Sequence, residues 1–130
     1  MEAAVGAILS GDLSVRLTRD GLHSAANLSG VPPNDLYNAL LLEVTKRFLR
    51  GELSFEDADG VANDVWECMT SDMVDLGDAF EMAEPAYSIY QAFDDGEWGR
   101  VDGEDPVEQY TRPELGRLLM ALEDPSPDSS

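Results

Sequence analysis

The sequence predicts an all-α fold, a compact bundle of five or six helices. Apolar residues recur at three- and four-residue spacing through most of the 130-residue chain. Serine, threonine, glycine and proline fall at the edges of those periodic stretches, where helices start and stop. No stretch alternates apolar and polar residues between hairpin turns. Val15 and Leu17 have polar neighbours, but that is too little to build a sheet. The length suits one domain, expected over residues 1–123. A chain of this size buries roughly two-thirds of its unfolded surface and folds without staples. The 43% hydrophobic content supplies the core. The proline- and serine-rich tail, residues 124–130, is expected to be disordered.

In chain order, "AAVGAIL" and "DGLHSAANL" read as two short helices. Pro32 and Pro33 then lead into a helix capped by Asn34 or Asp35 and running to about Leu49. Its stripe is Leu36, Tyr37, Leu40, Leu41, Val44 and Phe48. Gly51 closes it, and Ser54 caps the next helix, whose stripe is Phe55, Ala58, Ala62, Val65 and Met69. Helical pattern continues over about Met73–Phe93, with Pro85 expected to start a new helix or kink the existing one. Ala86, Tyr87, Ile89, Tyr90 and Phe93 make its inward side. The last helix opens on "TRPEL", where Thr111 and Glu114 have capping-box spacing, and carries the stripe Leu115, Leu118, Leu119 and Leu122. "LSGDLS" at residues 9–14 echoes "LRGELS" at residues 49–54, which is common helix-to-helix turn chemistry.

Charge is the most informative property, and its distribution says more than its net value of −19. Residues 1–50 hold five acids and five bases, whereas residues 51–130 hold 22 acids and three bases. Between Gly51 and Gly99 there is no lysine, arginine or histidine. Such a half repels nucleic acid and anionic membrane and attracts cationic proteins or metal ions. A coat evolved only for solubility would spread its acids along the whole chain. The single cysteine, Cys68, excludes an internal disulfide and fits a reducing compartment. "MEAAVGAILSG" lacks a basic leader region and is too short for a membrane span, so a cytoplasmic location is expected.

Enzyme chemistry finds little support. His23 is the only histidine, and it reads as a surface or cap residue rather than a general base. Cys68 lies on an apolar stretch beside Met69 and Trp66 and reads as an inert core thiol. There is no glycine-rich phosphate cradle and no zinc ligand set, and no cofactor is expected. A carboxylate pair needs a deep cleft and usually a larger scaffold.

The stretch "FDDGEWGRVDGED", residues 93–105, gathers six carboxylates, Phe93, Trp98 and Arg100 among three glycines. Calcium needs six to eight oxygens at fixed spacing, but adjacent Asp94 and Asp95 and the central Arg100 break an EF-hand register. Two readings remain. One is a solvated connector. The other is a contact surface in which Trp98 is an anchor and the surrounding acids steer a basic partner.

At "RFLRGELSFEDADGVANDVWECM" the chain resembles the colicin-D-like immunity proteins of bacterial toxin systems. The carrying pattern is a helix ending in Phe-Leu, then x-Gly-Glu-Leu-Ser, then an acidic amphipathic helix; the likeness covers about residues 46–123. It implies a small helical bundle that blocks a cognate nuclease toxin by filling its basic cleft, with no catalytic residues of its own. The expected partner-binding residues are Asp94, Asp95, Glu97, Trp98, Asp102, Glu104 and Asp105, with Asp57, Asp64 and Glu67 as a second acidic face. The expected partner is a basic protein, not nucleic acid or membrane. The alternatives are a regulatory or adaptor bundle, including an anionic mimic that blocks a host nucleic-acid enzyme, and a divalent-cation-binding protein.

Overall fold

The computed structural model describes residues 2–11, 16–97 and 107–123. Among them are six α-helices and no strand: α1 (Glu2–Leu9), α2 (Arg19–Ser29), α3 (Pro33–Leu49), α4 (Phe55–Leu76), α5 (Ala86–Glu97) and α6 (Arg112–Glu123). A 3₁₀ turn, Gly77–Ala79, follows α4, and a π-helical turn, Val107–Thr111, leads into α6. No helix of the described residues is long and apolar enough to cross a membrane.

The centre of the bundle is α3, which packs against each of the other five helices. That placement explains its composition. Leu36, Tyr37, Leu40, Leu41, Val44 and Phe48 are all buried, as their spacing predicts. Pro33 takes the first helical position with Pro32 as N-cap, two residues before Asn34 and three before Asp35, the expected caps. The Asn34 side chain instead donates to the Glu81 carbonyl at 2.8 Å, tying α3 to the connector after α4.

Ser54 caps α4 as predicted: its hydroxyl accepts from the Asp57 N–H at 3.1 Å. Ala58, Ala62, Val65 and Met69 are buried and Phe55 half-buried. Phe48, Phe55 and Phe93 pack edge-on or tilted, with ring centroids 5.4–6.3 Å apart. Trp66 stacks on Tyr90, with centroids 4.7 Å apart and planes 9° from parallel, and joins α4 to α5.

Two expected elements are corrected. The region 73–93 is not one helical run. α4 ends at Leu76 because Gly77 adopts φ +55°, a conformation that costs a residue with a Cβ. Residues 80–83 are non-helical, and Pro85 immediately precedes α5. Asn38 Oδ1 accepts from the Ala86 N–H and Glu84 Oε1 from the Ser88 N–H, so α5 is capped by a neighbouring helix and by its own approach. At Thr111 the capping box is not formed. The chain is already helical from Val107, and the buried Thr111 hydroxyl donates to the Ala92 carbonyl at 2.6 Å, fastening α6 to α5.

Candidate functional site

The most concentrated polar chemistry lies where α2, α3 and α4 meet. Asp72, only 4% exposed, stands in the last two turns of α4. Its Oδ1 accepts from Arg19 Nε at 2.6 Å and lies 3.0 Å from His23 Nε2; its Oδ2 accepts from the Tyr37 hydroxyl at 2.8 Å. A carboxylate only accepts, so His23 Nε2 carries the proton, with the Tyr37 oxygen 3.1 Å away. Arg19 Nη1 also reaches Asp75 Oδ2 at 2.5 Å. His23 is not a cap residue; its side chain, 35% exposed, is at the surface on one edge and committed to Asp72 on the other, because the fold turns α2 so that one face lies over Asp72.

This cluster is chemically closed. Both Asp72 oxygens are occupied, Tyr37 is fully buried, and the group is spent on joining three helices. A buried carboxylate is tolerated only with such a set of donors. Burial, and then the hydrogen bond to Asp72, raise the Tyr37 pKa above the ordinary phenol value. Burial first, and then the charges of Asp72 and Asp64, push the Cys68 thiol up to about 11. Cys68 is an inert core thiol, as its neighbours in sequence suggest.

Both shifts have the same sign. Tyr37 and Cys68 hold their protons longer in the folded chain, so their contribution is complete below the ordinary values and lost as pH rises above them. Urea midpoints are expected to fall from about pH 9 upward. Tyr37→Phe should flatten that slope. An unchanged slope in the variant would show that Tyr37 is not its source.

Beside the cluster is an open cleft of about 270 Å³ lined by Arg16, Leu17, Thr18, Arg19, Glu67, Cys68 and Ser71. Here the second predicted acidic face is largely engaged within the molecule. Asp64 Oδ2 accepts from the Leu17 N–H at 2.9 Å, and Glu67 pairs with Arg16. Asp57 sits in the first turn of α4, where a negative charge suits the helix dipole. Sequence spacing showed that these acids share one helix; it could not show that the 16–19 segment lies on them.

The first predicted face falls partly outside the described residues: Trp98, Asp102, Glu104 and Asp105 lie there. Asp94, Asp95 and Glu97 are in the last turn of α5, and Asp95 is exposed. No base shares that turn. An exposed acid at a helix C-terminus opposes the dipole at a cost of roughly 0.3–1 kcal/mol, so helix stability does not account for Asp95.

Most of the described bases are committed. Arg16 and Arg19 are held on α4, Arg47 and Arg50 pair with Glu43, and Arg112 pairs with Glu108 while lying over the Phe48 ring; Lys46 and Arg117 pair with no acid among the described residues. Among the described residues, Asp78, Glu81, Glu84 and Asp95 pair with no cation. Glu2, Asp20, Asp35, Glu56, Asp57 and Glu114 likewise pair with no cation among the described residues, so acid without a partner is spread over α1–α4 and α6 as well as the connector after α4 and the end of α5. Among the described residues, no three of His, Cys, Asp and Glu gather as a metal-ligand group. Compared with protein-family models, curated proteins and solved structures, the chain matches none.

Proposed function

We propose that this protein is a non-enzymatic, immunity-type inhibitor that binds and neutralises a basic bacterial toxin, a nuclease, in the cytoplasm. The observation that carries the reading is the uneven commitment of charge. Arg16, Arg19, Arg47, Arg50 and Arg112 are held in internal ion pairs, whereas acids such as Asp78, Glu81, Glu84 and Asp95 pair with no cation among the described residues. Acids placed where they oppose a helix dipole bring no local stability, and a cationic surface is what they attract. A single exposed pair contributes only about 0.2–1 kcal/mol, so tight binding needs several desolvated pairs around an apolar centre.

The test is capture on the immobilised chain at low salt, salt elution, and assay of the eluate for RNase and DNase activity with and without added free chain. A basic nuclease silenced by the free chain supports the reading. A captured basic protein without nuclease activity removes it and favours a regulatory bundle. The triple change Asp94→Lys, Asp95→Lys and Glu97→Lys is expected to weaken that binding and reduce its salt dependence. Stability should stay within about 1 kcal/mol, because the new cations suit the α5 dipole. Unchanged affinity across a salt titration would take the end of α5 out of the contact.

A further inference from the structure

The last turn of α4 and the 3₁₀ turn after it run past the packed body. Every residue from 73 to 79 is exposed. Three of them are large and apolar: Met73 is 40% exposed, Val74 82% and Leu76 53%. The apolar stripe that buries Ala62, Val65 and Met69 ends at Met69, about two turns short of the helix end at Leu76. Asp75, Asp78 and Glu81 are the acids near the exposed trio in sequence. Asp75 is held on the body side by Arg19, while Asp78 and Glu81 pair with no cation among the described residues. Gly77 at φ +55° ends the helix at the tip, and the chain continues through the 3₁₀ turn with Asp78 and Glu81 exposed.

We propose that this tip is the anchor of the interface, an apolar knob with an acidic collar that enters a cationic cleft on a partner protein. The inference rests on the reading of a basic partner given above and names the part of the surface that does the anchoring. The occupant follows from charge and shape. An apolar knob loses water favourably in any apolar recess, but Asp78 and Glu81 would be desolvated at a cost unless the rim of that recess is lysine or arginine. A neutral or acidic partner is excluded by that collar, as is a second copy of this strongly acidic chain. The knob supplies what the acids lack: a central area that excludes water, around which charge pairs gain strength.

The test uses the full chain and two probes: a 14-residue helical peptide of lysine and leucine with one cationic and one apolar face, and polylysine of equal length. Affinities are measured at low and at moderate salt, with amide shift mapping on the wild-type chain. The lysine–leucine peptide should shift residues 73–81 most strongly. The double variant Val74→Ser, Leu76→Ser should lower its affinity about tenfold and leave polylysine binding unchanged. Both positions are exposed, and circular dichroism checks that the helices persist. Equal binding of the peptide by variant and wild type, or shifts centred elsewhere, would overturn the tip as anchor while leaving the cationic partner standing. Failure of both probes to bind the wild type at low salt would overturn the cationic partner, and the anchor with it.

Discussion

Asp72→Ala is expected to destabilise the folded chain by about 3–5 kcal/mol, the range for removing one partner of a buried, hydrogen-bonded charge pair. The reason is the number of groups it would strand. The Tyr37 hydroxyl, the His23 ring and the Arg19 guanidinium all converge on one carboxylate, and Tyr37 is fully buried. With the acceptor gone, the phenol has no water to turn to, and Arg19 retains only Asp75. Asp72→Asn keeps the shape but exchanges one acceptor for a donor, so it should lie between alanine and wild type. The measurement is urea unfolding followed by circular dichroism, with Tyr37→Phe and the Asp72 change combined in a double-mutant cycle. A loss below about 1 kcal/mol for Asp72→Ala would mean that the cluster does not hold α2 on the bundle.

Phe48→Ala is expected to cost a similar amount, about 3–5 kcal/mol. Phe48 is 2% exposed and sits where α3, α4, α5 and α6 converge. Its ring packs edge-on to Phe93 at 5.4 Å and to Phe55 at 6.3 Å, and Arg112 lies 4.6 Å above it. Truncation leaves a cavity lined by two rings and strips the guanidinium of its platform. Hydrogen exchange should therefore rise first in α6, which depends on that contact and on the Thr111 bond to Ala92. Native-like exchange in α6, or a loss under about 2 kcal/mol, would show that the site collapses around the missing ring. Total stability for a domain is about 5–15 kcal/mol, so either change removes a large share.

Much of the fold was legible along the chain because a helix writes its buried face at local spacing. Leu36 through Phe48 and Ala58 through Met69 are buried as that spacing predicts. Ser54 caps α4 because a hydroxyl and an N–H three residues on find each other without outside help. Where a local signal met a tertiary demand, the demand won. Thr111 has capping spacing with Glu114, yet the chain is already helical before it and its buried hydroxyl donates to the Ala92 carbonyl on α5.

The candidate site divides the same way. That this chain carries a surplus of negative charge, all of it after residue 50, follows from the order of its residues alone. Which acids are used within the molecule was decided only when the helices packed. Asp64 and Glu67 take Leu17 and Arg16, Asp72 takes three donors from two other helices, and Asp78 and Glu81 are left exposed after α4. Ion pairing depends on distance in space, and residues 19, 23, 37 and 72 have no short-range pattern that could announce their meeting.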